Sequence, residues 1–270
     1  MALNSLQLTV LRLLAERRKQ SGESYVAGGV ALNHVLQAPR ISRDVDLFHD
    51  TDTALSESFR EDRNILQQAG LTVEVHRESK AFVEATVFDQ KIRLLIQWVR
   101  DSAYRFFPLV EDALLGMTMH PLDLATNKIL ALVGRLEPRD WIDAISCHTK
   151  LQRLGYLIWA ACGKDEGYGP GLMLDGAGRQ RYNQTELDLL DFEGDRPSAS
   201  LLGRAFKEAI AEAKVILEAL PEEDIGCCLL KPDGTPYSEP PERLISDLSL
   251  GNVIQFHKGG IGGVWPVIVG

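Results

Sequence analysis

The sequence predicts an α+β fold in which a mixed β-sheet is flanked by helices and continues into a mainly helical C-terminal part. Three consecutive runs between residues 71 and 99 alternate apolar and polar residues and are rich in β-branched types, which is typical of strands. Helical periodicity appears on both sides of these runs and dominates after about residue 118. We therefore expect a core over residues 1–118 and a helical region over residues 119–270.

The elements of the predicted core follow in order along the chain. An opening helix spans residues 5–20, with its leucines and Val10 on one face. The segment SYVAGGVALNHVLQ then indicates a short strand, a Gly-Gly turn and a second helix. A further helix over residues 54–69 ends at Gly70. The three strand-like runs come next and favour a single mixed sheet.

The predicted C-terminal region contains three long helical patterns, of which the first has Pro121 in its first turn and Gly134 near its end. The second follows EPRD and runs to about Leu154, and the third covers SLLGRAFKEAIAEAKVILEAL, with Ser200 as a plausible cap and Pro221 as a stop. Residues 163–198 are rich in Gly and Asp and predict loops with short helical patches. The tail from Asp224 carries turn signals and predicts irregular structure.

Composition is that of an ordinary soluble protein of 270 residues with a net charge of −9. The charge is −1 through Gly163 and −8 beyond it, so repulsion of nucleic acid concentrates in the C-terminal part. No apolar run reaches 18 residues, and the N-terminus carries its basic residues last, unlike a signal peptide. We expect a cytoplasmic protein without membrane contact. The cysteines show no metal-site spacing; they are Cys147, Cys162, Cys227 and Cys228.

Two acids in RISRDVDLF form the most informative motif of the chain. Asp44 and Asp46 occupy alternate positions of a predicted strand, so their carboxylates point the same way. Two carboxylates held this close repel each other unless a cation lies between them. A hard divalent ion with oxygen ligands, Mg2+ or Mn2+, suits such a pair.

The preceding Gly28-Gly29 pair adds a phosphate-binding element. Glycines allow close approach of the backbone to a ligand, and the following helix start offers free N–H groups and a positive dipole end. A triphosphate could therefore bridge this corner and a metal held by Asp44 and Asp46. The arrangement predicts a nucleotide and metal site for nucleotidyl transfer.

The run GGVALNHVLQAPRISRDVDLF resembles the nucleotidyltransferase signature of the AbiEii/AbiGii toxin family, which includes the MenT toxins. Arg40, Ser42, Asp44 and Asp46 match that signature in order. A second block, HPLDLATNKILALVGRLEPRDWIDAI, is similar to the downstream lysine and Arg-Asp motifs of the family. The resemblance covers residues 20–165 and implies a nucleotidyltransferase-type sheet.

The resemblance also implies roles for individual residues. Arg40 and Ser42 would join the glycines in binding nucleotide, although Arg40 could equally pair with an acid. Lys128 would contact phosphate, and Asp140 would belong to the active site, although it could also merely cap the helix that follows it. The implied substrates are an NTP and an acceptor such as the 3′ end of tRNA, and the implied partner is a cognate antitoxin.

One position departs from the pattern of many nucleotidyltransferases. A third carboxylate often lies on a neighbouring strand, where this chain has Gln97 instead. Glu84 and Asp89 lie nearby but precede that strand. Either Asp140 supplies the missing acid and takes the proton of the acceptor, or two carboxylates suffice.

Two other functions compete with nucleotidyl transfer. A D-x-D phosphatase of the haloacid dehalogenase type fits poorly, because Leu47 and Phe48 stand where Thr or Val is expected soon after the second acid. A catalytically silent protein with the same fold, binding nucleotide or a partner, is favoured by Gln97. Pyrophosphate release would identify the enzyme, whereas tight NTP binding without pyrophosphate release would identify the silent protein.

Overall fold

The computed structural model describes residues 3–101 and 103–261. The helices are α1 Ser5–Ser21, α2 Gly28–Val35, α3 Asp52–Gln68, α4 Pro121–Gly134, α5 Pro138–Lys150, α6 Leu154–Ala161, α7 Pro170–Gly178, α8 Gln184–Asp188, α9 Ala199–Ala219 and α10 Pro241–Leu250. The strands are β1 Ser24–Ala27, β2 Arg40–Ile41, β3 Asp44–His49, β4 Thr72–Glu78, β5 Phe82–Phe88, β6 Arg93–Arg100, β7 Tyr104–Arg105, β8 Val110–Asp112, β9 Gly116–Thr118, β10 Asp191–Phe192, β11 Cys228–Leu230, β12 Gln255–His257 and β13 Gly260–Ile261.

The chain divides into two compact units. The first comprises residues up to His34 and the segment Ile41–His120, and the second comprises Val35–Arg40 and Pro121–Gly260. The first unit contains a seven-stranded sheet in the order β4-β5-β6-β3-β1-β9-β8. Strand β3 runs parallel to β6 and antiparallel to β1, so the predicted mixed sheet is confirmed.

The two faces of this sheet differ in burial. Along β3, and along β6 as far as Trp98, every second residue is buried, and the residues between them are only partly buried or exposed. Helices α1 and α3 contact the buried side, where the ring of Phe59 meets that of Trp98 edge-on at 5.1 Å. Burial of these apolar side chains fixes which face of β3 turns away from the helices.

The second unit is mainly helical, as predicted. Helix α6 is buried at every position and contacts α4, α5, α7 and α9. A small antiparallel pair, β11 and β12, packs beside α6 through Leu229. Two predicted boundaries were wrong: the helix expected to reach Leu154 ends at Lys150, and the cap of α9 is Ser198, two residues before Ser200.

Candidate active site

Strand β3 presents the two acids side by side near the middle of the sheet. Asp44 and Asp46 are half-buried on one face, whereas Val45 and Leu47 are fully buried on the other. The side chains of a strand alternate between faces, so the apolar pair directs both carboxylates to the face opposite α1 and α3. This is the orientation that the sequence predicts.

The Gly-Gly corner touches the second acid. Strand β1 ends at Ala27, which lies opposite Asp46 in the antiparallel pair, and α2 begins at Gly28. Gly28 has a φ of 63°, in the left-handed region that disfavours side chains. A Cβ at this position would collide with the Asp46 carboxylate. The backbone of Gly28 therefore passes the carboxylate with no room for a methyl group.

Ser42 does not continue the row of the two acids. Strand β3 begins at Asp44, so the two-residue alternation does not extend back to Ser42. Ser42 is buried, and its carbonyl accepts a hydrogen bond of 2.6 Å from the side chain of Gln7 on α1. This contact anchors the entry to β3.

Across the acid face, Gln97 lies opposite Asp46 on the neighbouring strand β6. The next strand, β5, places Glu84 opposite Gln97, and the Gln97 amide donates to Glu84 at 2.8 Å. Along this line of paired residues, Glu84 is thus the acid nearest to Asp46. It lies on β5, one strand beyond the Gln97 position where a third carboxylate was considered. Asp89 instead accepts two backbone N–H groups in the turn between β5 and β6.

The second unit contains a buried group of ion pairs. Lys128 on α4 donates to Asp140 at 2.7 Å and lies 3.1 Å from Asp143, both on α5. Arg135 contacts Asp140 at 2.6 Å, and Arg40 holds Asp143 by two bonds of 2.6 and 2.8 Å. Three cations thus surround two carboxylates, a formal excess of one positive charge. We call these five residues the ion-pair cluster.

The structure bears on two alternatives that the sequence left open. Arg40 pairs with an acid. Asp140 is not a helix cap, because α5 begins at Pro138 with Glu137 at the cap position, so Asp140 lies inside the first turn. Asp143, one turn after Asp140, binds two cations, Arg40 and Lys128. Its spacing of three residues from Asp140, which puts both on one helix face, was the available signal.

The ion-pair cluster shifts the pKa values of Lys128 and Asp140. Burial alone would lower the pKa of Lys128, but Asp143 and Asp140 outweigh it and raise that pKa. Burial would raise the pKa of Asp140, but its bond to Arg135 and the charge of Lys128 lower it. Lys128 therefore remains a cation and Asp140 a carboxylate of weak basicity at neutral pH.

Replacing Asp143 by Asn should destabilise the protein strongly. The change leaves Lys128 and Arg40 buried without their shared counter-charge, which costs about 3–5 kcal/mol of unfolding free energy. Urea denaturation followed by circular dichroism measures this loss. The control Glu61→Gln breaks a pair with Arg17 in which the Glu61 side chain is 49% exposed, and should cost below about 1 kcal/mol. Equal losses in the two variants would contradict the stabilising role of Asp143.

The described part of the chain contains neither a metal-binding cluster of three or more side chains nor a helix that could cross a membrane. Within residues 3–101 and 103–261, no group of three or more His, Cys, Asp or Glu side chains is arranged to hold a metal ion. No helix of these residues is long and apolar enough to cross a membrane.

Comparison with known proteins identifies relatives of this architecture. The family model described as nucleotidyl transferase AbiEii toxin, type IV TA system, matches residues 12–148. The fold is similar to that of MenT4, a nucleotidyltransferase toxin from Mycobacterium tuberculosis, with a TM-score of 0.52 and 14% identity over 81% of this chain and 85% of that one. A putative nucleotidyltransferase from H. pylori gives a TM-score of 0.51 and 12% identity over 80% of this chain and 97% of that one. The search of curated proteins finds no match.

Proposed function

This chain belongs to the AbiEii family of nucleotidyl transferase toxins, and we propose that it transfers a nucleoside monophosphate from an NTP to an acceptor hydroxyl with the help of a divalent metal. The observation that carries the proposal is the contact between Gly28 and Asp46. It brings a backbone corner suited to phosphate and a carboxylate suited to a cation to one location.

The two acids fit a hard divalent cation. Asp44 and Asp46 supply carboxylate oxygens from one face of β3, and the absence of a side chain at Gly28 allows the Asp46 carboxylate to lie against the backbone corner. Mg2+ or Mn2+ prefers such oxygen ligands. When bound, the ion would offset negative charge that builds up on the departing pyrophosphate.

The helix start at Gly28 supports phosphate binding. Helix α2 begins directly at the Gly28-Gly29 pair, and the first N–H groups of a helix have no partner within the helix itself. Together with the positive end of the helix dipole they stabilise an anion. In our proposal these groups hold phosphate oxygens of the NTP and orient the α-phosphate for in-line attack.

We assign Lys128 and Asp140 to the catalytic machinery because their motifs resemble those of the family. Lys128 would provide a fixed positive charge for phosphate, which its ionised state supports. The low basicity of Asp140 favours a role in positioning Lys128 over a role in accepting the proton of the acceptor. Arg40, bound to Asp143, would act by stabilising the same group.

Gln97 is consistent with a site that uses two carboxylates. Its amide is engaged by Glu84 and is neutral, so it adds no charge beside Asp46. We propose that Asp44 and Asp46 alone hold the metal. The acceptor that we propose is the 3′-terminal hydroxyl of an RNA such as tRNA, and the partner is a cognate antitoxin; both proposals rest on the family resemblance.

Incubation with radiolabelled nucleotides tests the proposed function. The purified protein is mixed with each α-labelled NTP, Mg2+ and total RNA, and the RNA is separated on a denaturing gel while pyrophosphate is measured. We expect label in RNA and equimolar pyrophosphate, both abolished by EDTA. Tight NTP binding with neither product, for all four NTPs, would favour the silent binding protein, and labelling that survives EDTA would refute metal dependence.

A further inference from the structure

The second unit contains a pocket of about 530 Å³ that the proposed reaction does not use. It lies between α5, the segment that follows α7, and α9. Its volume falls within the range of about 300–1,000 Å³ that is usual for small-molecule sites. None of its lining residues belongs to the Gly28–Asp46 corner, so its occupant can be argued independently.

The wall of the pocket is aromatic. The ring of Trp141 lies 5.6 Å from that of Tyr182 and 5.7 Å from that of Phe206, measured between centroids. Trp141 and Phe206 are almost fully buried, which fixes their rings in place, and Tyr182 is half-buried. Within the described residues, the buried indole N–H of Trp141 has no acceptor. Such a wall suits a flat ring that also carries hydrogen-bond acceptors.

The rim of the pocket is cationic. Arg181 and Lys207 both line it, and both are exposed. The C-terminal part of the chain is otherwise acidic, with a net charge of −8 after Gly163, so two cations at one rim stand out from their surroundings. A ligand that packs against the aromatic wall and pairs with the cations of the rim must combine an aromatic ring with negative charge.

Gly203 keeps the pocket open. It lies within α9, four residues before Lys207 and on the same face, and an added Cβ there would meet no atom within 4 Å. Glycine inside a helix lowers its stability relative to alanine, so helix formation does not explain this residue. The missing side chain leaves room beside Phe206 that a ligand can occupy.

We infer that this pocket binds a nucleotide, whose base packs against the aromatic wall and whose phosphate pairs with Arg181 and Lys207. Stacking on aromatic rings together with cationic contacts to phosphate is the general chemistry of base-unspecific nucleotide binding. The same chemistry serves a free nucleotide and a nucleotide within a single strand.

Binding measurements test this inference. They are made on the Asp46→Asn variant in the presence of EDTA, so that metal-dependent binding at the proposed active site does not contribute. The probes are AMP, followed by calorimetry, and a fluorescein-labelled six-nucleotide oligoadenylate RNA, followed by anisotropy. We expect at least one probe to bind, and the double variant Arg181→Ser/Lys207→Ser to weaken it at least ten-fold and to reduce its salt dependence. Tighter binding of the RNA than of AMP identifies a strand as the source, and equal binding identifies a free nucleotide.

A second variant separates loss of binding from loss of folding. Gly203→Leu fills the pocket and replaces a poor helix former, so we expect the melting temperature to be unchanged or higher while binding weakens at least ten-fold. The matched controls are Gly203→Ala, which adds only a methyl group, and Arg60→Ser/Arg63→Ser, which removes two exposed cations from α3. Both should stay within two-fold of the parent. The inference is overturned if neither probe binds, or if the affinity of the probes is unchanged both in Gly203→Leu and in Arg181→Ser/Lys207→Ser.

Discussion

Asp46→Asn should abolish nucleotide transfer while leaving the protein folded. The asparagine keeps the size of the side chain but removes one of the two charges proposed to hold the metal. Loss of that stabilisation of the transition state should reduce incorporation of labelled NMP into RNA by about 10³-fold or more, or roughly 4 kcal/mol. Because Asp46 lies on the half-buried face of β3, we expect the melting temperature to change by only a few degrees.

The control for this variant is Asp195→Asn, which makes the same chemical change at an exposed loop position. It should retain full activity. A folded Asp46→Asn protein with undiminished incorporation would refute the assignment of Asp46 to the metal. The pocket inferred in the second unit would survive that result, since its test is performed in the Asp46→Asn background.

Gly28→Ala should inactivate the protein by displacing the Asp46 carboxylate. The added methyl group collides with that carboxylate, so either the backbone corner or the acid must move. Misplacement of a reacting group by about 1 Å can cost about 100-fold in rate, and we expect a loss of at least that size. The positive φ of 63° adds a destabilisation of about 1–2 kcal/mol. Steady-state incorporation and urea denaturation measure the two effects separately.

Gly22→Ala is a close control for the glycine variant. Gly22 ends α1 with a φ of 65°, and an added Cβ there meets nothing within 4 Å. It therefore has the same backbone strain without the collision. We expect similar destabilisation in the two variants and loss of activity only in Gly28→Ala; equal activities would show that the corner does not position Asp46.

The elements that sequence predicted well are those with a strong local pattern. Alternation along β3 gave the common direction of Asp44 and Asp46, because the side chains of any strand repeat every two residues. The amphipathic helices α1 and α3 were predicted for the corresponding reason, with a period of 3.6 residues. Helix α6 was not predicted, since it is buried on all sides and its sequence has no polar face to reveal a period.

The partners within the candidate site depend on tertiary contacts and were beyond local patterns. Arg40 and Asp143 are 103 residues apart in sequence, and nothing near either residue indicates the other. The start of a strand is set by its pairing with neighbouring strands, so the local pattern does not show that β3 begins at Asp44 and leaves out Ser42. The Gly-Gly turn indicated a tight corner, whereas only the register of β1 with β3 shows that the corner meets Asp46.

The alternating burial of β3 has a consequence for how this strand can evolve. Val45 and Leu47 are completely enclosed, so changes there act through the amount of folded protein that a cell maintains. If Asp44 and Asp46 hold the metal as proposed, changes at these two residues, on the partly open face, would leave that amount largely intact and remove the transfer activity. Selection for an inactive but abundant protein would therefore find its mutations at Asp44 and Asp46, between and beside the enclosed Val45 and Leu47.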